Sequence, residues 1–320
     1  MKKGIIILVI NILVLMICLV ISEITLFNIT KKDYDVFCKN FNLHLPALKY
    51  SIKMKSYEES YKELPQTMNI PDGATYSKRP IVLFGCSFTY GSGLKENQKF
   101  SYKLSEYTKR PVYNRGIPGS GIQHMYYQLS KENFYAVVKR KPEYIIYTYI
   151  PDYHLHRMYE YTFHLFSDDL YLRYVPNKKD SKGNLIRVSD YIPPYINGLY
   201  TVKALFKVRL NHILKKDMSY HDRFTHFLFY ESMQKAKTQY EDTKFVVMCY
   251  EIDNKPHNSC ANKKELFKML EKDGFIVLNT KDIIGQDLDK REDRLSESDD
   301  HPTERVWNLI VPALAKKLNL

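Results

Sequence analysis

Several common kinds of site are missing from this chain. Its five cysteines form no C-x-x-C pair and no zinc-type spacing, so neither a zinc ribbon nor a dithiol redox centre is written into it. Cys18 lies in an apolar run at the N-terminus and Cys86 in a second one. A Cys249–Cys260 bridge has nothing but separation to recommend it, so cysteine usage does not fix the compartment. Ten histidines are present, yet no two stand in H-E-x-x-H or a similar spacing, and no metal site is expected. Lysine and arginine exceed aspartate and glutamate by 48 to 36, a net charge of +12, but they are scattered. No basic block is dense enough to argue for nucleic acid. A basic face toward an anionic membrane or cell-wall polymer is the more economical reading.

The second kind of absence is local. From residue 4 to 22 there is no charged side chain, and Asn11 is the only strongly polar residue before Ser22. That length matches the roughly 20 residues needed to cross a hydrocarbon core, and no polar stripe marks it as a buried soluble helix. The run lacks an A-x-A cleavage site and is long for a cleaved signal, while Ile17 before Cys18 argues against a lipoprotein site. Residues 1–22 therefore read as an uncleaved transmembrane signal-anchor. Lys2 and Lys3 place the N-terminus in the cytoplasm and the bulk of the chain outside it; Lys31 and Lys32, just past the span, pull the other way.

What is present is aromatic and alternating. Aromatic residues make up 14% of the chain, 27 of them tyrosine, ample for a core and for aromatic-lined clefts. Residues 23–78 are polar and read as a stalk and lead-in, with a turn at residues 71–73. Apolar runs at 81–84, 111–114, 144–150, 244–250 and 274–279 read as strands. Helices are expected at 100–108, 123–138, 224–238, 266–272 and from about 303 to the end, the last kinked by Pro312. Strands alternating with helices predict an α/β domain over 79–320, a three-layer α/β/α sandwich on a mainly parallel sheet. The alternation breaks at about 153–222, an inserted lid or platform with a polar hairpin about Lys182 and Gly183 and a basic amphipathic helix at 198–215.

One stretch organises the rest. After Pro80, four bulky residues end at Gly85, and Ser87 follows with Gly91 and Gly93 beyond it. A serine on a tight turn out of a strand is lifted clear of the sheet, with backbone N–H groups free to meet an anion. The same stretch also fits an ordinary strand-end turn with a capping serine, so the reading depends on whether the chain supplies a base. In open α/β sheets the site lies beyond the carboxyl ends of the strands, and Ser87, Gly119, Asp152 and the 279–301 region all follow strands. His301, held by Pro302 before the final helix, is the best base; Asp299 can accept its N–H and fix the tautomer, with Asp300 as the rival orienter. His154 and His156 more naturally belong to the insertion.

These residues carry a resemblance. Gly85-Cys86-Ser87-Phe88-Thr89-Tyr90-Gly91 resembles the first block of the SGNH (GDSL-like) hydrolases, with Cys86 where the family often has Asp. Asn114-Arg115-Gly116-Ile117-Pro118-Gly119 resembles the second block, whose glycine supplies an oxyanion N–H; Gly119 is the better match and Gly116 the alternative. Asp299-Asp300-His301-Pro302 resembles the last block, which carries the catalytic Asp and His. The order and spread match across residues 80–320. Two departures stand out. Asp152 occupies the third-block position where the family offers an oxyanion Asn, and a carboxylate donates only when protonated; it is then available to Arg157 or a substrate hydroxyl. The Asp-x-His spacing resembles the acetyl-transfer branch rather than the commoner Asp-x-x-His. The resemblance implies an SGNH (flavodoxin-like) fold and a Ser87 acyl-enzyme acting on ester groups, O-acetyl groups of envelope glycans among them, with no cofactor. An O-acyltransferase with the same residues, or a non-catalytic envelope-binding protein on the same fold, are the alternatives.

Overall fold

The computed structural model describes residues 14, 16–21, 68–69, 78–130, 134–135, 138, 140–151, 153–154, 174–187, 218–251, 263–288 and 290–320. The chain divides into two compact units, Met1–Ser60 with Glu160–Lys216, and Tyr61–Tyr159 with Asp217–Leu320.

In the first unit, residues 14 and 16–21 are helical and exposed. No helix among the described residues is long and apolar enough to cross a membrane, and the rest of the anchor expected over 1–22 lies outside them. The polar hairpin is present, pairing Tyr174–Lys179 antiparallel to Leu185–Arg187. Its turn is closed by Asp180, whose carboxylate accepts from the N–H of Lys182 at 2.9 Å and of Asn184 at 2.8 Å. The remainder of the expected insertion, including the 198–215 helix, falls outside the described residues.

The second unit is built on a six-stranded sheet. In chain order its strands are β1 (Met68–Asn69), β2 (Ile81–Phe84), β3 (Val112–Asn114), β4 (Tyr144–Tyr149), β7 (Lys244–Cys249) and β8 (Ile276–Asn279), with β5 and β6 the hairpin above. The spatial order is β1-β3-β2-β4-β7-β8. All pairs are parallel except β1–β3, where Met68 faces Tyr113. β1 lies in the polar lead-in, where no strand was expected. Its two residues show no period of their own and owe their conformation to the edge of β3.

Helices cover both faces. All six residues of β4 are buried, as a central strand under two layers must be. Tyr144 and Ile146 join Val246, Met248 and Leu278 in one cluster with Phe100 and Leu104 of helix α2 (Phe100–Thr108) and Trp307, Ile310 and Leu314 of helix α7 (Glu304–Leu318). Phe100 stacks on Trp307 at 4.7 Å between centroids. On the opposite face Tyr147 and Tyr149 meet Phe229 at 5.2 and 5.9 Å. Phe229 belongs to helix α4 (Met218–Lys237), which packs against α3 (Ile122–Leu129) and α5 (Lys263–Lys272), while the short α6 (Thr280–Ile284) packs against α7. Period-2 alternation thus divides each strand between two apolar layers. Helix α7 continues through Pro312; burial of Val311, Leu314 and Leu318 on its core face outweighs the one backbone bond that proline forfeits.

Taken alone, the five parallel strands have the order 2-1-3-4-5, with the direction of winding reversing between β2 and β4. Ligands bind at the carboxyl ends of the strands at such a switch point, and Ser87 is three residues beyond the end of β2.

Candidate active site

The nucleophile turn is made by backbone. Gly85 leaves β2 at φ 150°, and a Cβ there would overlap the Thr89 hydroxyl and approach the Thr148 carbonyl at 3.2 Å. The chain then enters the short helix α1 (Ser87–Tyr90), closed by the Tyr90 N–H on the Cys86 carbonyl and the Gly91 N–H on the Ser87 carbonyl, both 2.9 Å. Cys86 is fully buried in the core cluster beside Phe88 and Ile150, so a small apolar thiol suits a place where the resembled family often has Asp. Ser87 is 7% exposed, and neither its hydroxyl nor its N–H makes a hydrogen bond among the described residues.

The loop after β3 is moored to this turn. The carbonyl of Gly85 accepts from the Ile117 N–H at 3.0 Å and from the Ser120 hydroxyl at 2.7 Å. Asn114 spans the two segments: its side-chain NH2 donates to the Thr89 carbonyl at 2.9 Å and to the Ser101 hydroxyl at 3.1 Å, and its oxygen accepts from the Gly116 N–H at 3.0 Å. Gly116 approaches α1 so closely that a Cβ would sit 2.6 Å from the Tyr90 nitrogen. Its N–H is committed to Asn114, which removes it as an oxyanion donor. The Gly119 N–H has no partner among the described residues. Of the two glycines, Gly119 is the one whose N–H is left open among the described residues.

The base is carried on a different kind of element. Residues 299–302, expected as a loop, form strand β10 (Asp299–Pro302) of a two-stranded ribbon with β9 (Arg294–Ser296), with a bulge between Asp299 and Pro302. Bulges re-aim side chains beside active sites. Here Asp299 turns back on His301: one carboxylate oxygen accepts the His301 N–H at 3.0 Å and also meets the ring Nδ1. Burial alone would raise the Asp299 carboxyl. The backbone and ring bonds from His301, with the charge of that ring, outweigh it and hold the carboxyl below its ordinary value. The other ring nitrogen, Nε2, is buried and has no hydrogen-bond partner among the described residues. Asp300 faces elsewhere, accepting from the Tyr153 hydroxyl at 3.2 Å and lying 3.5 Å from Arg294. Of the two candidate orienters, Asp299 is the one that holds the ring.

Nucleophile helix and base strand pack together through Phe88, whose ring lies 5.0 Å from the His301 ring and 5.4 Å from that of Tyr250. Burial, reinforced by the Asp293 carboxylate, pushes the Tyr250 phenol up, so it remains a neutral part of the floor. Ser87 and His301 are not hydrogen-bonded to each other. Such bonds are commonly long in the unliganded state and tighten on substrate. Asp152 and Arg157 lie outside the described residues, as does His156. His154 is buried, its Nδ1 3.3 Å from the Ile150 nitrogen and 3.2 Å from the Tyr147 hydroxyl, fastening the end of β4. No group of three His, Cys, Asp or Glu side chains among the described residues could hold a metal ion.

Sequence reasoning passed over Asn114, Phe88, Ser120 and Tyr153. Asn114 alone left a signal: Asn two residues before Gly is the pattern of a side chain accepting from the backbone two residues on.

No family model and no curated protein matches this chain. Solved structures similar to it include the lipase Lip_vut3 from a goat rumen metagenome, 11% identical over 75% of this chain and 97% of that one, with a TM-score of 0.43. The psychrotrophic esterase EstA of Pseudoalteromonas sp. is 11% identical over 76% and 97%, TM-score 0.41. An acetyl xylan esterase of the rumen bacterium Butyrivibrio proteoclasticus is 10% identical over 77% and 65%, TM-score 0.42. Likenesses at this level carry no weight for what this chain binds or does.

Proposed function

We propose that the chain is a serine esterase of SGNH (GDSL-like) type. The observation that carries this reading is the state of His301: Nδ1 is bound to Asp299, while Nε2 is buried without a partner among the described residues, on a strand packed against the Ser87 helix. A histidine oriented on one nitrogen and open on the other, on a strand packed against the helix of a serine whose hydroxyl has no partner among the described residues, is the arrangement general-base activation requires.

In the proposed reaction the Ser87 Oγ attacks the ester carbonyl and its proton passes to His301 Nε2. Asp299 holds the ring and stabilises the imidazolium. The tetrahedral oxyanion is met by the N–H groups of Ser87 and Gly119, both without partners in the described structure. On collapse His301 returns the proton to the leaving alcohol, and the acyl group stays on Ser87. Water then attacks the acyl carbonyl, His301 takes and returns a second proton, and the carboxylic acid leaves. No cofactor enters these steps.

The substrates we assign are ester groups, O-acetyl groups of cell-envelope glycans foremost, with the chain anchored by residues 1–22 and its catalytic unit outside the cytoplasm. Support comes from the uncharged run after Lys2 and Lys3 and from the net charge of +12, which suits an anionic envelope surface. A second reading, O-acyl transfer to a sugar hydroxyl by the same residues, is favoured by one detail. The Asp-x-His spacing is the one realised in the ring bond, through Asp299, as in the acetyl-transfer branch it resembles.

The test is hydrolysis of p-nitrophenyl acetate by the full chain beside Ser87→Ala and His301→Ala. Both substitutions are expected to lower kcat by on the order of 10⁴ or more. A folded wild-type protein that turns over no ester would overturn the reading in favour of a non-catalytic envelope-binding protein. Appearance of an acetylated sugar when a glycan acceptor is added would move it from hydrolase to transferase.

A further inference from the structure

We infer that Asp300 is a positioning residue of this site, tying the His301 strand to the segment beyond β4 through the hydroxyl of Tyr153. The inference rests on the reading of His301 as the base.

Along β10 the side chains of Asp299 and His301 are two residues apart, while Asp300 between them is directed to a different set of partners. Its side chain is only 8% exposed. A carboxylate covered to that degree is costly unless its oxygens are engaged, and both are: Oδ2 accepts from the Tyr153 hydroxyl at 3.2 Å, and Oδ1 lies 3.5 Å from the Arg294 guanidinium. The Arg294 contact stays within the β9–β10 ribbon. The Tyr153 contact leaves it and crosses 147 positions of sequence.

Tyr153 is a firm anchor. It lies in the turn that leaves β4, where the His154 N–H donates to the Ile150 carbonyl at 2.9 Å and the Ile150 N–H donates to His154 Nδ1 at 3.3 Å. A two-stranded ribbon is marginal by itself and needs fastening to something that does not move. Asp300 attaches it to the segment that leaves β4, a strand buried along its whole length, one residue from the atoms that must meet Ser87. Asp299 thus sets the rotation of the His301 ring, and Asp300 sets where the ring stands.

The test compares Tyr153→Phe, Asp300→Asn, Asp300→Ala and the Tyr153→Phe/Asp300→Asn pair in the full chain, by two readouts. One is kcat and KM for p-nitrophenyl acetate. The other is the Nδ1–H proton resonance of His301 in histidine-labelled protein, assigned by its loss in His301→Gln, which reports ring placement whether or not the chain is an esterase. Tyr153→Phe leaves the Arg294 ion pair intact, so a salt bridge of purely structural value would not respond to it. We expect Tyr153→Phe and Asp300→Ala to lower kcat roughly tenfold with KM within about twofold, as displacement of a reacting group does. Asp300→Asn keeps an acceptor for the hydroxyl and should recover part of that loss. The paired variant should be no worse than the worse single. In both damaging variants the His301 resonance should broaden and exchange faster with solvent. Unchanged kcat and an unchanged resonance in Tyr153→Phe would overturn the inference, whether or not Asp300→Ala folds. Should the wild type hydrolyse nothing, the esterase reading falls on that arm, and the resonance alone decides for or against the Tyr153–Asp300 link.

Discussion

The two sides of the site are built from different materials. On the nucleophile side, the Gly85–Ser87 turn and the Asn114–Ser120 loop are joined by uncharged groups: the Ile117 N–H and the Ser120 hydroxyl on the Gly85 carbonyl, the Asn114 side chain on the Thr89 carbonyl, and a glycine pressed against the Tyr90 nitrogen. On the base side, carboxylates do the holding: Asp299 fixes the His301 ring within β10 and Asp300 ties the ribbon to Tyr153, and the Asp299 side chain is 43% exposed. The contrast matches what each side would supply in the proposed reaction. Oxyanion donors must already stand where charge will develop, and the two proposed ones are backbone N–H groups on segments tied together by several hydrogen bonds. In the proposed reaction the base exchanges a proton with the serine hydroxyl, and two side-chain contacts, Asp299 on the ring and Asp300 on Tyr153, place it for that exchange.

Three substitutions or conditions sharpen or break this contrast. The largest effect is expected at Asp299→Asn, which presents the wrong hydrogen-bonding partner to Nδ1: kcat should fall by on the order of 10³–10⁴. Its cost in stability should stay below about 1 kcal/mol, because the pair is part-solvated. Thermal melting of that variant alongside ester hydrolysis separates the two quantities, and a large loss of stability would mean the ribbon is structural after all. Next comes Gly116→Ala. With backbone atoms of Thr89 and Tyr90 at 3.0 and 2.6 Å from the new methyl, it should cost about 1–3 kcal/mol in stability and activity together. An Ala variant that melts and turns over like wild type would show that the nucleophile side has slack.

The smallest effect is on pH. The folded-state carboxyl of Asp299 is held below the ordinary value of 3.8, so the stability it adds is present above about pH 4 and lost as the pH falls through the folded value. Solvent screening keeps that contribution to a fraction of a kcal/mol. Urea melts of wild type and Asp299→Asn should therefore differ slightly at neutral pH and converge in acid. Divergence in acid would reverse the sign of the assignment.

The nucleophile side was legible in the sequence because its devices are residue types. An apolar run ending in glycine, a serine two residues on and a second glycine cluster after the next strand have few structural solutions, and helix α2 begins and ends where its pattern predicts. The base side was legible only as chemistry. Its strands are short and polar, β9 reading Arg-Leu-Ser and β10 Asp-Asp-His-Pro, so no alternation announced a ribbon, and spacing could not choose between Asp299 and Asp300. That choice is made by a bulge. Gly116 was likewise separated from Gly119 only by where the Asn114 side chain points. The two-residue strand β1 left no trace either, since long-range pairing with β3 creates it. Asp152, the departure from the resembled pattern that bears most on oxyanion stabilisation, lies outside the described residues.

The central claim is that Ser87 is a nucleophile activated by His301, and it can be tested without knowing the substrate. A fluorophosphonate probe incubated with the full chain, followed by peptide mapping by mass spectrometry, should place the phosphonyl adduct on Ser87. His301→Ala should slow the labelling by orders of magnitude and Ser87→Ala should abolish it. Folded wild-type protein that takes up no probe, or carries the adduct on any other residue, would contradict the account.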